Sequence, residues 1–340
     1  MRDPGRRVLT RVGLRIPASI CPENHRNGRA EAFEQIASIA ATAERSGFDS
    51  IWVTDPVGEG PVPPEGIHRF EAYTLLGALS TRTRTATLGA MVSPVTARNP
   101  AVLAKIVTGV DVLSGGRAVL GLGMGAPGAV IGGKDSATGD EPSLPHLPAG
   151  ARVDSLAEGL HICRAMFTEE APSFEGRYYR IREAQNRPRP IRAEGIPILV
   201  DGEQGEGAGE ADGLLELVAR YADAVTLAGR VGTLRDRLNT LDRLCHEVGR
   251  DPAAISRIGT GMLVITPSDK QAVQRLDRAA GNEGKRDDRA TATSGWPDAL
   301  ADQVGDLLEV GIDGVVFTVA DADDLELVEM AGTTLRPLFE

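Results

Sequence analysis

The segment Arg98–Gly125, RNPAVLAKIVTGVDVLSGGRAVLGLGMG, contains a helical pattern, an apolar run and a glycine-rich loop, in that order. Apolar residues at helical spacing predict a helix over 100–113. Ser114-Gly115-Gly116 predicts its end, because glycine readily adopts the left-handed conformation of a C-terminal cap. Ala118–Leu122 is typical of a strand buried on both faces in a parallel sheet. One helix face is predicted to be apolar, formed by Leu103, Ile106, Val107, Val110 and Leu113.

The loop GLGMG follows this strand directly. Gly123 and Gly125 would let the backbone approach a ligand at the carboxyl end of the strand. The alternative interpretation is a tight turn without a ligand. The order of elements nevertheless indicates an α/β protein.

Short apolar runs alternate with helical patterns along the whole chain, which favours a (β/α)8 TIM barrel. An open doubly wound sheet is the alternative, but no GxGxxG motif opens the first helix. The predicted strands are Thr10–Ile16, Asp49–Thr54, Thr85–Ser93, Ala118–Gly121, Ile196–Val200, Ala222–Leu227, Ile258–Ile265 and Gly314–Val319. The predicted helices are Ala30–Ser46, Glu71–Arg82, Pro100–Leu113, Arg152–Phe167, Gly213–Arg220, Thr233–Val248, Ser268–Ala279 or Pro297–Val310, and Asp324–Arg336.

The 340 residues fit one such barrel with insertions, so a single domain over 1–340 is predicted. Residues 123–150 are rich in Pro and Gly, longer than an ordinary connection, and predicted to be an insertion or lid loop. Phe174–Ile181 reads as a short hairpin. The polar residues 281–295 are expected to form a mobile surface loop.

Composition narrows the classes of function. The net charge of −11 argues against nucleic acid or an anionic membrane as a partner. The three cysteines are far apart and show no CxxC pairing, which predicts a reducing cytoplasm and no zinc site. No apolar run reaches the length of a membrane span or a signal peptide. A soluble enzyme acting on a small molecule fits these features.

Polar residues follow several predicted strands and are candidates for chemistry. Asp55 ends the second strand, where a carboxylate could handle a proton, although Asp before Pro56 is also a good turn starter. The third strand ends in Met91-Val92-Ser93, which on its own is an ordinary strand end. After Val200, free amides could bind a phosphate at a helix start. Four acidic residues in that loop oppose this unless they turn outward: Asp201, Glu203, Glu206 and Glu210.

The five histidines show no metal-ligand spacing. His161 and His246 fall within predicted helices. His25, His68 and His146 fall in loops that could overhang a barrel mouth, where an imidazole could transfer a proton near neutral pH. His25 and His68 are the candidates we retain.

An ordered series of segments resembles the luciferase-like flavin oxidoreductase family over nearly the whole chain. The match is most similar to the subgroup that uses the deazaflavin coenzyme F420, such as methylene-tetrahydromethanopterin reductase and F420-dependent glucose-6-phosphate dehydrogenase. The segments are AERSGFDSIWVTD (43–55), EAYTLLGALSTRTRTATLGAMVSPVTARNPAVLAK (71–105), RVDSLAEGLHICRAMF (152–167), FEGRYY (174–179), IPILVDGEQG (196–205), LLELVARYADAVTLAG (214–229) and IDGVVFTVADADDLELVEMAGTTLRPL (312–338).

The resemblance implies a TIM barrel, a homodimer, and a flavin-like ring lying across the carboxyl-terminal mouth. It implies a bulge with a cis peptide at Met91–Val92 behind the ring, with Ser93 beside it, and Asp55 near the ring's hydroxyl edge. Gly123 and Gly125 would line the exit of the fourth strand. The cofactor phosphate would be held by backbone amides of Gly202, Gln204 and Gly205 and by the hydroxyl of Thr226.

Three departures from the subgroup affect the expected reaction. The sugar-phosphate dehydrogenases have Asp-His in the second-strand motif, where this chain has Asp55-Pro56. They carry a glutamate just after the fourth-strand glycines, where this chain has Ala126. The pterin reductases have a glutamate at the end of the first strand, where this chain has Arg15-Ile16-Pro17. Oxidation of glucose-6-phosphate is therefore not expected.

The leading functional hypothesis is an F420-dependent oxidoreductase that moves a hydride between the deazaflavin and an imine or conjugated alkene. Asp55 and a loop histidine, His25 or His68, would serve as catalytic residues. The alternatives are an FMN-dependent monooxygenase of the same family and a barrel without catalysis. Substrate identity is expected to depend on the divergent insertion at 123–150.

Overall fold

The computed structural model of the chain describes residues 8–16, 19–20, 28–56, 68–125, 149–203, 208–266, 293–295 and 297–340. Strands and helices alternate along them, as the sequence predicts. The barrel strands are β1 (Val12–Ile16), β2 (Ser50–Val53), β3 (Thr87–Ala90), β4 (Ala118–Gly123), β5 (Ile198–Asp201), β6 (Ala224–Leu227), β7 (Ser256–Ile265) and β8 (Gly314–Val319). The helices are α1 (Gly28–Ser46), α2 (Ala72–Leu79), α3 (Pro100–Ser114), α4 (Ala149–Thr168), α5 (Ala208–Tyr221), α6 (Val231–Glu247), α7 (Pro297–Val310) and α8 (Leu325–Leu335).

The eight strands form a closed parallel barrel. Each strand pairs in parallel with the next one along the chain, and β8 pairs with β1 through Val12 and Val315. The pairing of β5 with β4, which sets Leu199 opposite Gly121, leaves no open edge between the two halves. The (β/α)8 prediction is therefore confirmed, and the open doubly wound sheet is wrong.

The helix α3 shows how the sequence sets local boundaries. Asn99 caps its start, where the side chain accepts a hydrogen bond from the Ala101 amide at 2.9 Å, and Pro100 occupies the first turn. Gly115 ends it with φ +71°, the left-handed conformation predicted from the glycine pair.

The predicted apolar face of α3 is only partly correct. Leu103, Val107 and Val110 are buried against the barrel, but Leu113 is 68% exposed. At 3.6 residues per turn, Leu113 falls on a second row with Val102, one that points away from the barrel. The helix therefore has two apolar rows, and the single predicted face combined residues from both.

Short strand pairings lie outside the eight-stranded barrel. The hairpin predicted over 174–181 is present, with Phe174–Glu175 pairing antiparallel to Arg180–Ile181. Thr293–Gly295, at the end of the range expected to be a surface loop, form a strand beside the end of β7. The register sets Thr293 opposite Leu263 and Gly295 opposite Ile265. The alternative helix 268–279, the rest of the 281–295 loop and most of the 123–150 insertion lie outside the described residues.

Two apolar layers stabilise the fold. One lies between the helices and the outer faces of the strands. The other fills the barrel itself around Trp52, which is fully buried, with Leu199, Ile258 and Val316. Gly89 makes room for Trp52, because a Cβ there would lie 2.5 Å from the indole ring. The side chains packed around Trp52 fill the barrel interior below the carboxyl ends of the strands.

Over the described ranges, every helix is too short or too polar to cross a bilayer.

Candidate active site

The barrel mouth is the opening at the carboxyl ends of the eight strands, above the layer around Trp52. Side chains alternate along a strand, so the residues two positions beyond the buried layer face this opening. Leu199, Ile258 and Val316 belong to the buried layer. The barrel-facing positions above it are mostly polar: Arg15, Thr54, Asp201, Thr226, Thr260 and Thr318. In TIM barrels this face carries the chemistry.

One wall of the mouth follows β3. The peptide bond between Met91 and Val92 is cis, as the resemblance predicted. The chain then pairs with β4 at Ser93–Pro94, and the Val95 amide donates to the Gly123 carbonyl oxygen at 2.8 Å. Met91 and Val92 are buried, with a small accessible fraction. This wall is uncharged and contains the predicted residues Met91, Val92, Ser93 and Gly123.

Asp55 lies next to this wall in an arginine-centred network. Its carboxylate is 1% exposed, and both oxygens accept hydrogen bonds from Arg98, at 2.6 and 3.2 Å. Arg98 also donates to Glu71 and lies over the Tyr73 ring, 5.3 Å from its centroid. Tyr73 and Ser93 share a hydrogen bond of 2.7 Å between their hydroxyls. The network thus connects Asp55 to the strand end at Ser93.

One guanidinium, that of Arg98, serves two carboxylates in this network. Burial disfavours the charged forms of Glu71 and Arg98, but the hydrogen bonds outweigh it in both. Bonds from Thr74 and the charge of Arg98 lower the pKa of Glu71. Bonds to Asp55 raise the pKa of Arg98. Burial raises the pKa of Tyr73 far above its ordinary value, so this phenol stays neutral.

A second carboxylate pair, Asp201 and Glu203, lies across the mouth at the end of β5. The Thr226 hydroxyl donates to Asp201 Oδ1 at 2.8 Å, and the Glu203 amide donates to the same atom at 3.1 Å. The Thr260 hydroxyl donates to Glu203 Oε1 at 3.3 Å. Partial burial raises the pKa of Asp201, although these donors and the charge of Arg15 oppose the shift.

The Glu203 side chain is exposed at the open side of the mouth. Desolvation where it meets the protein, with repulsion from Asp201, raises its pKa to about 7. Arg237 and Arg15 act in the opposite direction. Arg237 donates to the Gly202 carbonyl oxygen at 2.9 Å, and Arg15 donates to Thr318 at 2.7 Å. These bonds of Arg237 and Arg15 differ from the double contact of Arg98 with Asp55.

The predicted phosphate site overlaps this pair. The Gly202 amide donates to the Thr226 carbonyl oxygen at 3.1 Å, and the Thr226 hydroxyl is bonded to Asp201. Both groups would have to exchange these partners to bind a phosphate. Gln204 and Gly205 lie outside the described residues. Asp201 does not turn outward, since its carboxylate accepts the hydroxyl of Thr226 on the neighbouring strand.

A buried ion pair connects the loops after β4 and β5. Arg152, at the start of α4, donates to Glu210 at 3.1 Å and to the Gly125 carbonyl oxygen at 3.1 Å. Gly125 has φ +76°, and a Cβ there would lie 2.8 Å from Pro94, so a larger residue would not fit. Glu210 was counted among the loop acids, but its charge is matched by Arg152.

The structure brings together Asp55, Met91, Val92, Ser93 and Gly123 on one side of the mouth, and Gly202 and Thr226 on the other. His25 lies outside the described residues. His68 is described through its backbone, which pairs with Ile20. Its participation in the site stays a prediction.

Sequence reasoning missed Arg98, Tyr73 and Arg15. Arg98 had one local signal, because it directly precedes the Asn99 cap of α3 and so lies in a loop at the mouth. Tyr73 is in α2, where an aromatic residue is ordinary. Arg15 was noted as a departure from the reductases, and its barrel-facing position follows only from the register of β1 with β2.

Comparison with known proteins agrees with this architecture. The sequence profile of the luciferase-like monooxygenase family matches residues 10–315. An F420-dependent glucose-6-phosphate dehydrogenase of Nakamurella multipartita is 27% identical over 342 aligned residues, covering 91% of this chain and 94% of that enzyme.

Two solved structures share the fold. An F420-dependent secondary alcohol dehydrogenase in complex with an F420–acetone adduct has a TM-score of 0.74 at 19% identity, covering 97% of this chain and 99% of its own. A monooxygenase from Streptomyces bottropensis has a TM-score of 0.76 at 20% identity, covering 97% of this chain and 100% of its own.

Proposed function

The chain belongs to the luciferase-like monooxygenase family, and from this we propose that it is an F420-dependent oxidoreductase acting on a small organic molecule. The observation that carries the proposal is the match to an F420-dependent dehydrogenase along 91% of the chain. When bound, the deazaflavin would supply or accept the hydride. The imine or conjugated alkene class remains our expectation for the substrate.

The described residues fit the ring of such a cofactor better than its anionic tail. Met91, Val92 and Gly123 form an uncharged wall that suits a flat, largely apolar ring, and Ser93 adds a hydroxyl already oriented by Tyr73. The tail phosphate finds Asp201 and Glu203 where the resemblance implies a cradle. We therefore assign ring binding to the wall, and tail binding to main-chain amides of Gln204 and Gly205 as a prediction.

Asp55 is proposed as a positioning residue. Arg98 occupies both carboxylate oxygens, so Asp55 has no oxygen free of the guanidinium to accept a substrate proton. Its role would be to hold Arg98, which in turn fixes Tyr73 and the strand end at Ser93. This orientation holds the wall rigid, as productive binding of a ring requires.

The same charges bear on substrate choice. A phosphate-bearing substrate placed against Asp201 and Glu203, away from the amides proposed for the cofactor's tail, would meet like charges, which repel strongly where water is partly excluded. With Pro56 and Ala126 at the positions of the dehydrogenases' proton-handling residues, the proposed substrate is not a sugar phosphate.

Fluorescence titration with F420 and with FMN tests the cofactor. We expect saturable binding of F420 and weaker binding of FMN. Absorbance at 420 nm then follows the oxidation of reduced F420 by cyclohex-2-enone or 1-pyrroline, which we expect to occur. In the contrasting assay, we expect glucose-6-phosphate not to reduce oxidised F420. Binding of FMN alone, with oxygen consumption, would support a monooxygenase. Binding of neither cofactor would support a barrel without catalysis.

A homodimer is the partner we propose, through α2 and α3. On α3, Val102 is 54% and Leu113 is 68% exposed, and they lie on one row with Ile106 and Gly109. A Cβ on Gly109, or on Gly77 of α2, would meet nothing within 4 Å, so both helices present a smooth face. A large exposed apolar row is typical of a protein interface.

Sedimentation velocity tests the dimer with Val102→Glu/Leu113→Lys. We expect this variant to be monomeric, while Val248→Glu, a change at an exposed apolar residue beyond α6, leaves the dimer intact. Equal sedimentation of all three proteins would contradict the interface.

A cytoplasmic location is also proposed. It is supported by Cys163 and Cys245, which are buried free thiols, as expected in a reducing compartment.

A further inference from the structure

Arg152 connects the two sides of the mouth that the proposed function assigns to different parts of the cofactor. It lies in the first turn of α4, and one guanidinium nitrogen donates to the Gly125 carbonyl oxygen at 3.1 Å. Another nitrogen donates to both carboxylate oxygens of Glu210, at 3.1 and 3.2 Å. Glu210 lies in the first turn of α5. One side chain therefore contacts both the segment after β4 and the helix after β5.

The Gly125 end of this contact belongs to the wall assigned to the ring. Ser93–Pro94 pair with β4 at the end of that wall. Gly125 packs directly against them, since a Cβ on Gly125 would lie 2.8 Å from Pro94. The guanidinium is planar and its donors have fixed directions, so the bond to Gly125 also sets the direction of the bond to Glu210.

The Glu210 end belongs to the side assigned to the tail. The helix α5 begins shortly after Gln204 and Gly205, to which tail binding is assigned. It packs closely on α4 beside the ion pair, because a Cβ on Gly213 would lie 3.3 Å from Val153. A larger residue at this position would require Val153 to shift. The first turns of α4 and α5 are therefore held together by packing and by charge.

Burial makes the pair a fixed connection. Arg152 is 6% and Glu210 is 8% exposed. Removing two charges from water costs free energy that their attraction repays only when the geometry is good, so such a pair adds little net stability. Its expected contribution is a single arrangement of the groups it joins. Here those groups are the end of the ring wall and the start of α5.

We propose that Arg152 is a positioning residue that, through Glu210, fixes the spacing between the ring side and the tail side of the mouth; this role rests on the proposed function. A cofactor that carries ring and tail in one molecule gains affinity from both only when their two sites lie at the matching distance. Linkage of this kind raises affinity by about 10²–10⁴-fold. Arg152 therefore affects the affinity gained from the tail, and not that of the ring alone.

Fluorescence titration with F420 and with 8-hydroxy-5-deazariboflavin, which has the ring and no phosphate, measures this gain as the ratio of the two dissociation constants. Arg152→Met/Glu210→Leu removes the connection without leaving either charge buried alone. We expect F420 to bind about tenfold more weakly, with the affinity of the ring alone unchanged within about twofold. The control Arg257→Met/Asp242→Leu removes an ion pair near the amino-terminal end of β7 and should change neither affinity.

Hydrogen exchange followed by mass spectrometry tests the connection without a cofactor. In Arg152→Met/Glu210→Leu, we expect exchange to be faster than in the wild type in peptides covering 93–97 and 211–218. The control should exchange like the wild type at both places. Unchanged exchange in both peptides of the variant would overturn the role of the pair.

The titrations also separate this role from the proposed function. An unchanged ratio in Arg152→Met/Glu210→Leu, or equal weakening of both ligands, would overturn the positioning role and leave the proposed function intact. Equal affinities of the wild type for the two ligands would overturn the positioning role as well, since the tail would add nothing. A wild type that binds neither ligand would overturn the proposed function and the positioning role together.

Discussion

Two carboxylate pairs face each other across the barrel mouth and differ in their counter-charge. Asp55 and Glu71 share the guanidinium of Arg98, which is 13% exposed and bonded to both. Asp201 and Glu203 accept from hydroxyl and amide donors, while Arg15 donates to Thr318 and Arg237 to the Gly202 carbonyl oxygen. The first pair is therefore fixed by a shared guanidinium, whereas burial raises the pKa of both members of the second pair.

The difference teaches that the residue type at a strand end does not decide its role. Asp55 has the sequence position of a catalytic group, yet its charge is matched by contact. Glu203 lies in a loop expected to bind phosphate, yet desolvation and the charge of Asp201 raise its pKa to about 7. The guanidinium, a donor that stays charged at all physiological pH values, separates the two cases.

Removing Arg98 should have the largest effect on this comparison. Arg98→Met leaves Asp55 buried without its guanidinium, and removing one partner of a buried pair costs about 3–5 kcal/mol. Urea unfolding at pH 7 measures this loss in the free energy of unfolding. The control is Arg82→Met, since Arg82 makes a similar pair with Glu34 on the exposed surface, where such pairs contribute about 0–1 kcal/mol. Equal losses in the two variants would mean that Arg98 does not balance a buried charge.

Tyr73→Phe should have a smaller effect on the same side of the mouth. It deletes the hydroxyl that shares a 2.7 Å bond with Ser93 and leaves that buried serine unpaired, at a cost of about 1–3 kcal/mol. The loss should be independent of pH between 5 and 8, because the phenol is neutral throughout. Tyr73→Phe/Ser93→Ala is expected to recover part of it. No recovery in urea unfolding would contradict the bond.

Thr226→Val tests the opposite side, with an expected loss of about 1 kcal/mol. The hydroxyl donates to Asp201, so its removal leaves a carboxylate with fewer donors. The cost should grow as pH rises, since the raised pKa of Asp201 favours the neutral acid at lower pH and the hydroxyl donates to the charged form. A loss with no dependence on pH would show that the hydroxyl does not stabilise the charged form.

The smallest predicted effect concerns Glu203 and the pH dependence of stability. Its folded pKa of about 7 lies above the ordinary value of 4.5, so the native state binds more protons between these pH values. Stability conferred by the neutral acid is lost as pH rises through this window. Glu203→Gln should therefore gain Tm relative to the wild type from pH 5 to pH 8, on the order of 1 °C. A constant difference in thermal scans would contradict the shifted titration.

Most of the barrel could be predicted from local patterns. Buried parallel strands are continuous apolar runs, and glycines mark helix ends, so the predicted bounds of β4 and α3 agree with the structure within one or two residues. Leu113 was assigned to the wrong row because both rows of α3 are apolar, and composition alone does not tell a core row from an exposed one.

The candidate site was predicted less completely. Family resemblance identified Asp55 and the cis peptide at Met91–Val92, and it did not reveal Arg98 as the partner of Asp55. The occupied donors of Gly202 and Thr226 also had no signal in the sequence, since each is bonded to the neighbouring strand.

The sequence by itself determined the order of strands and helices, the caps and the strand-end positions of Asp55 and Asp201, because these follow from propensity and periodicity over a few residues. The tertiary structure decided which charges are neutralised. Arg98 meets Asp55 across 43 residues of chain, and Thr260 meets Glu203 across 57. Electrostatic and hydrogen-bonding partners depend on distance in space, so the closed barrel, and not the local pattern, gives each carboxylate its chemistry.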